Sequence, residues 1–382
     1  MLLFLFWLLA IASIYSYFLY PLILMAVKKY RGARLVKAAE LELEQAPKVT
    51  LIVTAYNEER RIREKIENSL SLDYDKRKLE IIVASDCSDD MTDDIVREYE
   101  DQSVRLVRAQ ERLGKENAQL CAIKEATGDI LVFSDTATQI PEDALWKLVA
   151  YFADETVGAV SSEDRFISKD GTVAGEGAYV KYEMWLRQQE SQLSGLVGLS
   201  GSFFAARKNI CQEWDIHSPS DFNTALNAAK AGLRAVSAAD VLGFYTDLQD
   251  PAKEYQRKIR TVIRGMTGLA RHAEVMNVSR FGFFALQIIS HKLMRWLSPW
   301  FFIAFFLVSA ILADSGIFFG LIFIGQLVFY GISLVAHFLP GSRRIGPIKL
   351  IYFFVQVHVA LFDAALKFLS GQRMTTWKPS AR

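Results

Sequence analysis

The run Val49-Thr50-Leu51-Ile52-Val53-Thr54, followed at once by Ala55-Tyr56-Asn57-Glu58-Glu59, decides how the rest of the chain is read. It is β-branched, uncharged and apolar on both alternating faces, the pattern of a strand covered on both sides of a sheet. Four further short β-rich runs follow: LEIIVAS (Leu79 to Ser85), VRLVR (Val104 to Arg108), DILVFS (Asp129 to Ser134) and VGAVSS (Val157 to Ser162). Helix-period segments separate them, for example Lys115 to Ala126, where Gly128 is expected as a left-handed C-cap. Strands alternating with helices predict a doubly wound α/β domain with a mostly parallel sheet over residues 48–250. In such sheets ligands bind beyond the C-terminal strand ends, so the polar residues directly after each strand are the ones to weigh.

Outward from this domain the texture becomes apolar. Of 382 residues 51% are hydrophobic, and a mean hydropathy of +0.16 points to a part seated in lipid. Residues 1–27 form an almost unbroken apolar run, long enough to span, with Lys28, Lys29, Arg31 and Arg34 after it. That charge order predicts an uncleaved anchor whose C-terminal side faces the cytoplasm, leading through a basic linker, 28–47, into the α/β domain. Past Pro251, residues 251–296 read as two interfacial amphipathic helices. In the first, Ile259, Val262, Ile263, Met266 and Leu269 recur at helical spacing, while Lys253, Arg257, Arg260, Arg264 and Arg271 take other faces. The second runs from Phe281 to Trp296. Residues 297–369 predict two spans, Trp300 to Leu312 with residues before it and Ile317 to Leu339, then a third segment, Ile348 to Leu369, that either spans or re-enters. Residues 370–382 form a tail. Lys plus Arg total 44 against 43 Asp plus Glu, so no basic field of the kind that tracks nucleic acid is present. Three scattered cysteines and no HExxH spacing exclude a disulfide framework and a zinc cluster of familiar pattern.

The strand ends carry the chemistry. The first gives Thr54-Ala55-Tyr56-Asn57-Glu58-Glu59, the second Ser85-Asp86-Cys87-Ser88-Asp89-Asp90, and the fourth Ser134-Asp135-Thr136-Ala137-Thr138. An acidic strand end alone is more often the N-cap of the next helix. Three carboxylates at one mouth of a sheet are costly unless cations or hydrogen-bonded ligands compensate them, which favours a ligand site.

These motifs, in this order and joined to a membrane anchor, resemble the membrane-bound family 2 glycosyltransferases, the group that includes cellulose, hyaluronan and poly-N-acetylglucosamine synthases. The resemblance implies a GT-A fold that binds a nucleotide-diphosphate sugar, usually UDP-linked, and transfers the sugar with inversion. Carried over by motif, it places Ala55, Tyr56 and Glu58 around the nucleotide, Asp86 on the uracil edge, and Lys115 of Gly114-Lys115 near the donor phosphates. Asp135 matches the first carboxylate of the DxD element and is the expected ligand of a divalent cation, Mg²⁺ or Mn²⁺. Ala137 stands where the second Asp belongs, so the cation would rest on one protein carboxylate, phosphate oxygens and water. Gly201 and Ser202 resemble the acceptor-side loop. Asp221 matches the second acid of the pair that carries the catalytic base, with Ser220 at the first. Its plain alternative is a cap or first-turn residue favoured by the helix dipole. Arg257 and Arg260 form a partial counterpart of (Q/R)xxRW, with Thr261 in place of Trp, and are expected at the donor phosphates or at lipid headgroups.

The resemblance further implies an integral protein of a bacterial cytoplasmic membrane with its catalytic domain in the cytoplasm. Expected partners are the nucleotide sugar, a lipid-linked or growing polysaccharide acceptor, membrane lipids, and an export partner or second copy, with no nucleic acid. Thr261 removes an aromatic platform for a chain end and so predicts one or a few additions in place of a long polymer. The competing class is a catalytically silent scaffold or regulatory subunit of a polysaccharide synthesis or export complex, prompted by Ala137, Ser220 and Thr261. A solute transporter is disfavoured because so much of the chain is an α/β domain.

Overall fold

A computed structural model describes residues 1–39, 42–167, 178–246 and 251–374. The tail residues Lys378 and Arg382 lie outside these. The chain divides into two compact units, one comprising residues 24–251 and 264–286 with the tail, the other residues 1–23, 252–263 and 287–372.

The first unit is built on seven strands: β1 (Val49–Ala55), β2 (Leu79–Ser85), β3 (Val104–Arg108), β4 (Ile130–Asp135), β5 (Val157–Ile167), β6 (Phe203–Arg207) and β7 (Arg234–Thr246). They lie in the order β3-β2-β1-β4-β6-β5-β7. Only β6 runs against its neighbours; the pairs β1–β2, β1–β4, β2–β3 and β5–β7 are parallel. The helices interleaved with the strands are α3 (Ile62–Leu70), α4 (Thr92–Arg97), α5 (Lys115–Glu125), α6 (Ala144–Ala150), α7 (Ala178–Ser191) and α8 (Ser220–Lys230). All seven residues of β1 are buried because both faces are covered. Leu51 and Val53 pack with Ile62 and Ile66 of α3 and Leu148 of α6. Ile52 packs on the opposite face with Ala118 and Ala122 of α5 and Ala225 of α8. The uninterrupted apolar reading of the strand is thus the sum of two period-2 faces, each with its own core.

Register brings the strand ends level. Ala55 pairs with Ser85 and Thr54 with Asp135, so the polar runs after β1, β2 and β4 emerge at one edge. Antiparallel β6 pairs Phe203 with Ser134, which delivers the preceding loop, Leu199 to Ser202, to that same edge. Strand β7 has no counterpart in the sequence reading, because RAVSAADVLGFYT breaks its apolar run with Ser, Asp and two alanine steps at the border of the sheet.

Gly128 differs from its expected role. Helix α5 ends at Ala126 in extended conformation, without a left-handed cap. Gly128 instead lies against β1, where its N–H donates to Thr50 Oγ1 at 2.9 Å and an added Cβ would come within 2.5 Å of the Thr50 nitrogen. Gly128→Ala must therefore push a core strand aside, and a loss of about 1–3 kcal/mol is expected, read as a lowered melting temperature.

The helices of the membrane-type segments are α1 (Leu2–Ile14) and α2 (Tyr20–Arg31), joined through a π turn at Tyr15–Leu19, then α9 (Pro251–Arg271), α10 (Val278–Ile288), α11 (Met294–Leu312), α12 (Ile317–Phe338) and α13 (Gly346–Leu369). Among the described residues, four runs are long and apolar enough to cross a membrane: Leu2–Arg31, Val278–Ser315, Ile317–Phe338 and Gly346–Leu369. The amphipathic reading of α9 matches its burial, with Ile259, Ile263 and Leu269 all enclosed. The segment Phe281 to Trp296, expected as a separate helix, is instead part of the longer run Val278–Ser315. Gly282, at φ 54°, breaks the beginning of α10, and a π turn at Ile289–Leu293 joins α10 to α11. In the second unit Phe6 and Leu9 of α1 pack on Val308 and Leu312 of α11.

Candidate active site

The loops after β1 and β2 clasp each other. Asn57 and Cys87 both adopt positive φ, 52° and 58°, an unusual conformation for residues with side chains that tends to be kept at functional sites. Asn57 Nδ2 donates to Asp89 Oδ1 at 2.5 Å while the Asp89 N–H returns a bond to Asn57 Oδ1 at 3.0 Å. The Glu58 N–H donates to Thr92 Oγ1, and the Glu59 N–H to Asp90 Oδ2. Asp89 and Asp90 are thus spent on loop structure, the bland reading of an acidic strand end.

Asp86 is different. Its carboxylate is 1% exposed, Oδ1 accepts from the Gly114 N–H at 3.1 Å, and buried Oδ2 meets no hydrogen-bond partner among the described residues. Burial raises its pKa, against the Gly114 N–H and the charge of Arg112. Arg112 in turn lies 3.9 Å over the Tyr56 ring. Ala55 closes β1 beside them, accepting from the Asp86 N–H at 3.0 Å. Ala55, Tyr56, Glu58 and Asp86 are therefore brought together.

Gly114, at φ 109°, opens α5 and turns Lys115 into the same edge. The Lys115 ammonium pairs with Asp135 and donates to the Gly201 carbonyl at 3.1 Å. Burial opposes its charge, but Asp135, with Glu116 and Asp221 adding, outweighs that and holds its pKa above the usual lysine value. The Asp135 N–H donates to the Ser202 carbonyl at 3.0 Å, fixing β4 to the loop before β6. Beneath lies Lys65, fully buried, which donates to the Thr138 carbonyl at 2.5 Å; burial lowers its pKa to about 7, against the pull of Asp135.

Asp221 stands in the first turn of α8 without being its cap. Its Oδ2 would lie 3.5 Å from a Cβ added to Gly201, so the glycine backbone faces the carboxylate directly. Ser202 is otherwise engaged: its hydroxyl bonds Asp164 of β5, whose pKa burial raises against the Ser200 and Ser202 hydroxyls. Of the expected group, Lys115, Asp135, Gly201, Ser202 and Asp221 converge. Arg257 and Arg260 lie in the part of α9 that belongs to the second unit.

Two residues of this network went unassigned in the sequence. Glu116 is 2% exposed, accepts from the Ser220 N–H at 3.4 Å and pairs with the Arg264 guanidinium. Burial works against the Arg264 charge, yet Glu116, helped by Asp221 and Asp135, raises its pKa. Consecutive residues Lys115 and Glu116 thereby tie the end of β4 and the start of α8 to one helix. In the sequence Arg264 is one of several basic residues on α9, and nothing local sets it apart.

The cation that the resemblance implies finds a partial fit. Asp135 is 39% exposed, with one oxygen on Lys115 and the carboxylate still open to solvent, while Ala137 offers no ligand. No group of three His, Cys, Asp or Glu suited to a metal occurs among the described residues. These residues suit a cation carried largely by its nucleotide, not a dedicated protein cage.

Comparison with known proteins agrees with this architecture. Residues 50–214 match the family described as Glycosyl transferase family 2. The chain is 28% identical over 187 residues to a poly-beta-1,6-N-acetyl-D-glucosamine synthase of Staphylococcus aureus, covering 47% of this chain and 45% of that protein. It is 29% identical over 187 residues to the probable glycosyltransferase YdaM of Bacillus subtilis, covering 45% and 44%. The chain thus spans less than half the length of these curated relatives. Among solved structures, mannosyltransferase PcManGT from Pyrobaculum calidifontis, in complex with GDP-Man and Mn²⁺, superimposes with a TM-score of 0.74 at 23% identity over 97% of this chain and 100% of that one, a likeness of fold. With the seven-stranded sheet and its strand-end motifs, these matches establish that residues 50–214 form a glycosyl transferase family 2 domain on a GT-A-like fold.

Proposed function

We propose that this chain is a membrane-embedded inverting hexosyltransferase that moves a sugar from a nucleotide-diphosphate donor to a lipid-linked or growing glycan acceptor, with its α/β unit in the cytoplasm. The observation that carries the reading is the convergence of Lys115, Asp135, Gly201 and Asp221 at one edge of the sheet. Two cations, Lys115 and Arg264, sit among three carboxylates, Glu116, Asp135 and Asp221. Such a site suits a ligand with both hydroxyls and phosphates.

In this reading the unpartnered Oδ2 of Asp86 takes an N–H of the base, and Tyr56 with Arg112 flanks the nucleoside. Lys115 leaves its contact with Asp135 to hold the diphosphate, and Arg264 reinforces it from α9, a role first expected of Arg257 and Arg260. Asp135 with the donor phosphates would hold the divalent cation, which neutralises charge on the departing nucleotide when bound. Asp221 accepts the proton of the acceptor hydroxyl as that oxygen attacks the anomeric carbon from the side opposite the diphosphate. The related S. aureus protein is by name a poly-N-acetylglucosamine synthase, which supports a UDP-linked N-acetylhexosamine as the first donor to try.

The test is a screen of UDP- and GDP-sugars for nucleotide release by the purified protein, with and without membrane lipid extract. Release from one donor, accelerated by lipid, is the expected result; no release from any donor under either condition would support a silent scaffold. For the cation, calorimetry should detect Mn²⁺ or Mg²⁺ binding in the presence of nucleotide and only weak binding without it. Tight binding to the nucleotide-free protein, or full activity in excess chelator, would contradict the assignment.

A further inference from the structure

The loop before β6, Leu199 to Ser202, touches three groups to which the transferase reading gives a role. Its Leu199 N–H donates to the Asp221 carbonyl at 3.3 Å, its Gly201 carbonyl accepts from Lys115 at 3.1 Å, and its Ser202 carbonyl accepts from the Asp135 N–H at 3.0 Å. Four consecutive residues therefore link the expected base, the donor-side lysine and the expected cation ligand. A shift of this loop moves all three contacts, so what holds it from behind matters.

That support comes from β5. The ladder between β5 and β6 ends at the pair Ser161–Phe204. Beyond it side chains replace backbone pairing. The Ser161 Oγ accepts from the Ser200 N–H at 2.7 Å and from Arg187 of α7 at 2.8 Å, and the Ser162 hydroxyl donates to the Phe203 carbonyl at 2.6 Å. Two residues further along, the Asp164 carboxylate accepts from the Ser202 hydroxyl.

The two sides of the loop face different carboxylates. The hydroxyls of Ser200 and Ser202 lie 3.2 Å apart, and both favour the ionised form of Asp164. A Cβ on Gly201, between them, would lie 3.5 Å from the Asp221 Oδ2. Alternate residues of an extended stretch share a face, so Ser-Gly-Ser turns its hydroxyls towards β5 and its bare backbone towards Asp221. Burial and the charge of Asp135 work against ionised Asp164, and Arg187 joins the hydroxyls in supporting it. Hydrogen bonds to an ionised carboxylate are about twice as strong as neutral ones, which makes Asp164 a firm tether.

We propose that Asp164 is a positioning residue of the transfer site: by tethering Ser200 and Ser202 it holds the acceptor side of the loop against Asp221, and so sets how the donor sugar divides between acceptor and water. In either outcome an oxygen bonds to the anomeric carbon, its proton passes to Asp221, and the bond to the diphosphate breaks with its electrons leaving on the nucleotide. An acceptor hydroxyl needs exact alignment for this, whereas abundant water does not. The inference rests on the transferase reading for the reaction that is tuned; the tether itself does not.

The experiment compares the full chain in nanodiscs with Asp164→Ala, Asp164→Asn and Ser200→Ala. Hydrogen exchange without donor should show the amides of residues 200–203 exchanging about tenfold faster in Asp164→Ala and Ser200→Ala. Asp164→Asn should fall between, because its amide still bonds hydroxyls. With radiolabelled UDP-N-acetylglucosamine and membrane lipid extract, the ratio of lipid-linked to free sugar should drop about tenfold in Asp164→Ala and less in Asp164→Asn, with donor affinity kept. Ser200→Ala, which leaves the carboxylate in place, decides the matter should Asp164→Ala lower the melting temperature. Unchanged exchange in the well-folded variants would overturn the proposal, as would equal loss of both products together with donor affinity. Faster exchange in variants of a protein that uses no donor would sink the transferase reading and leave the tether standing. Transfer by the parent with the same ratio in every variant would do the reverse.

Discussion

Replacing Asp221 with asparagine should lower transfer by ~10² or more while leaving nucleotide-sugar binding nearly intact, the usual scale for losing a general base. The amide keeps the size of the carboxylate beside Gly201 but cannot take a proton. Around it, Gly201 presents bare backbone to Asp221, and Lys115 bridges the Gly201 carbonyl to Asp135. Steady-state transfer rates with donor affinity measured separately make the check, and transfer within a few-fold of the parent would remove Asp221 from the role.

The second large effect concerns the buried pair beneath it. Glu116 is 2% exposed and Arg264 has a side chain 13% exposed, so neither charge is well hydrated once its partner is gone. Glu116→Ala should destabilise the protein by about 3 kcal/mol, because the buried guanidinium loses its paired carboxylate and keeps only the more distant charges of Asp221 and Asp135, and the N-terminus of α8 loses its acceptor at Ser220. Arg264→Met should cost less in stability, since a linear apolar side chain can take the same path. It should cost more in catalysis, because donor phosphates lose a fork of N–H donors. The double variant should be more stable than Glu116→Ala alone, and its loss minus the sum of the two single losses gives the coupling energy. Thermal or denaturant unfolding of all four proteins reads this. Additive losses would show that the two residues act separately.

The legible part of this chain was the part whose signal is local. The strands β2 and β3 begin and end where the sequence places them, since their β-branched and apolar residues cluster in short runs between polar loops. The strand-end motifs were legible as a site because register in a parallel sheet sends them to one edge. What escaped depends on distant partners. Gly128 was read as a helix cap from its position after α5, but its neighbour is Thr50, reached only once β1 lies beside β4. Glu116 looked like one more charge in a helical first turn until α8 and α9 supplied Ser220 and Arg264. Arginines 257, 260 and 264 share a basic helix, and nothing in their spacing says which one meets a carboxylate. Strand β7 escaped because Ser237, Asp240 and its alanines interrupt the apolar run.

A single displacement with one carboxylate as base inverts the anomeric carbon. Its most direct test is the anomeric configuration of the first product, followed by NMR from a ¹³C-labelled α-linked nucleotide sugar before any later exchange. A β-linked product is predicted, with Asp221→Asn abolishing its formation. A product that retains the α configuration would require a second nucleophile or a different route, and would contradict the central assignment.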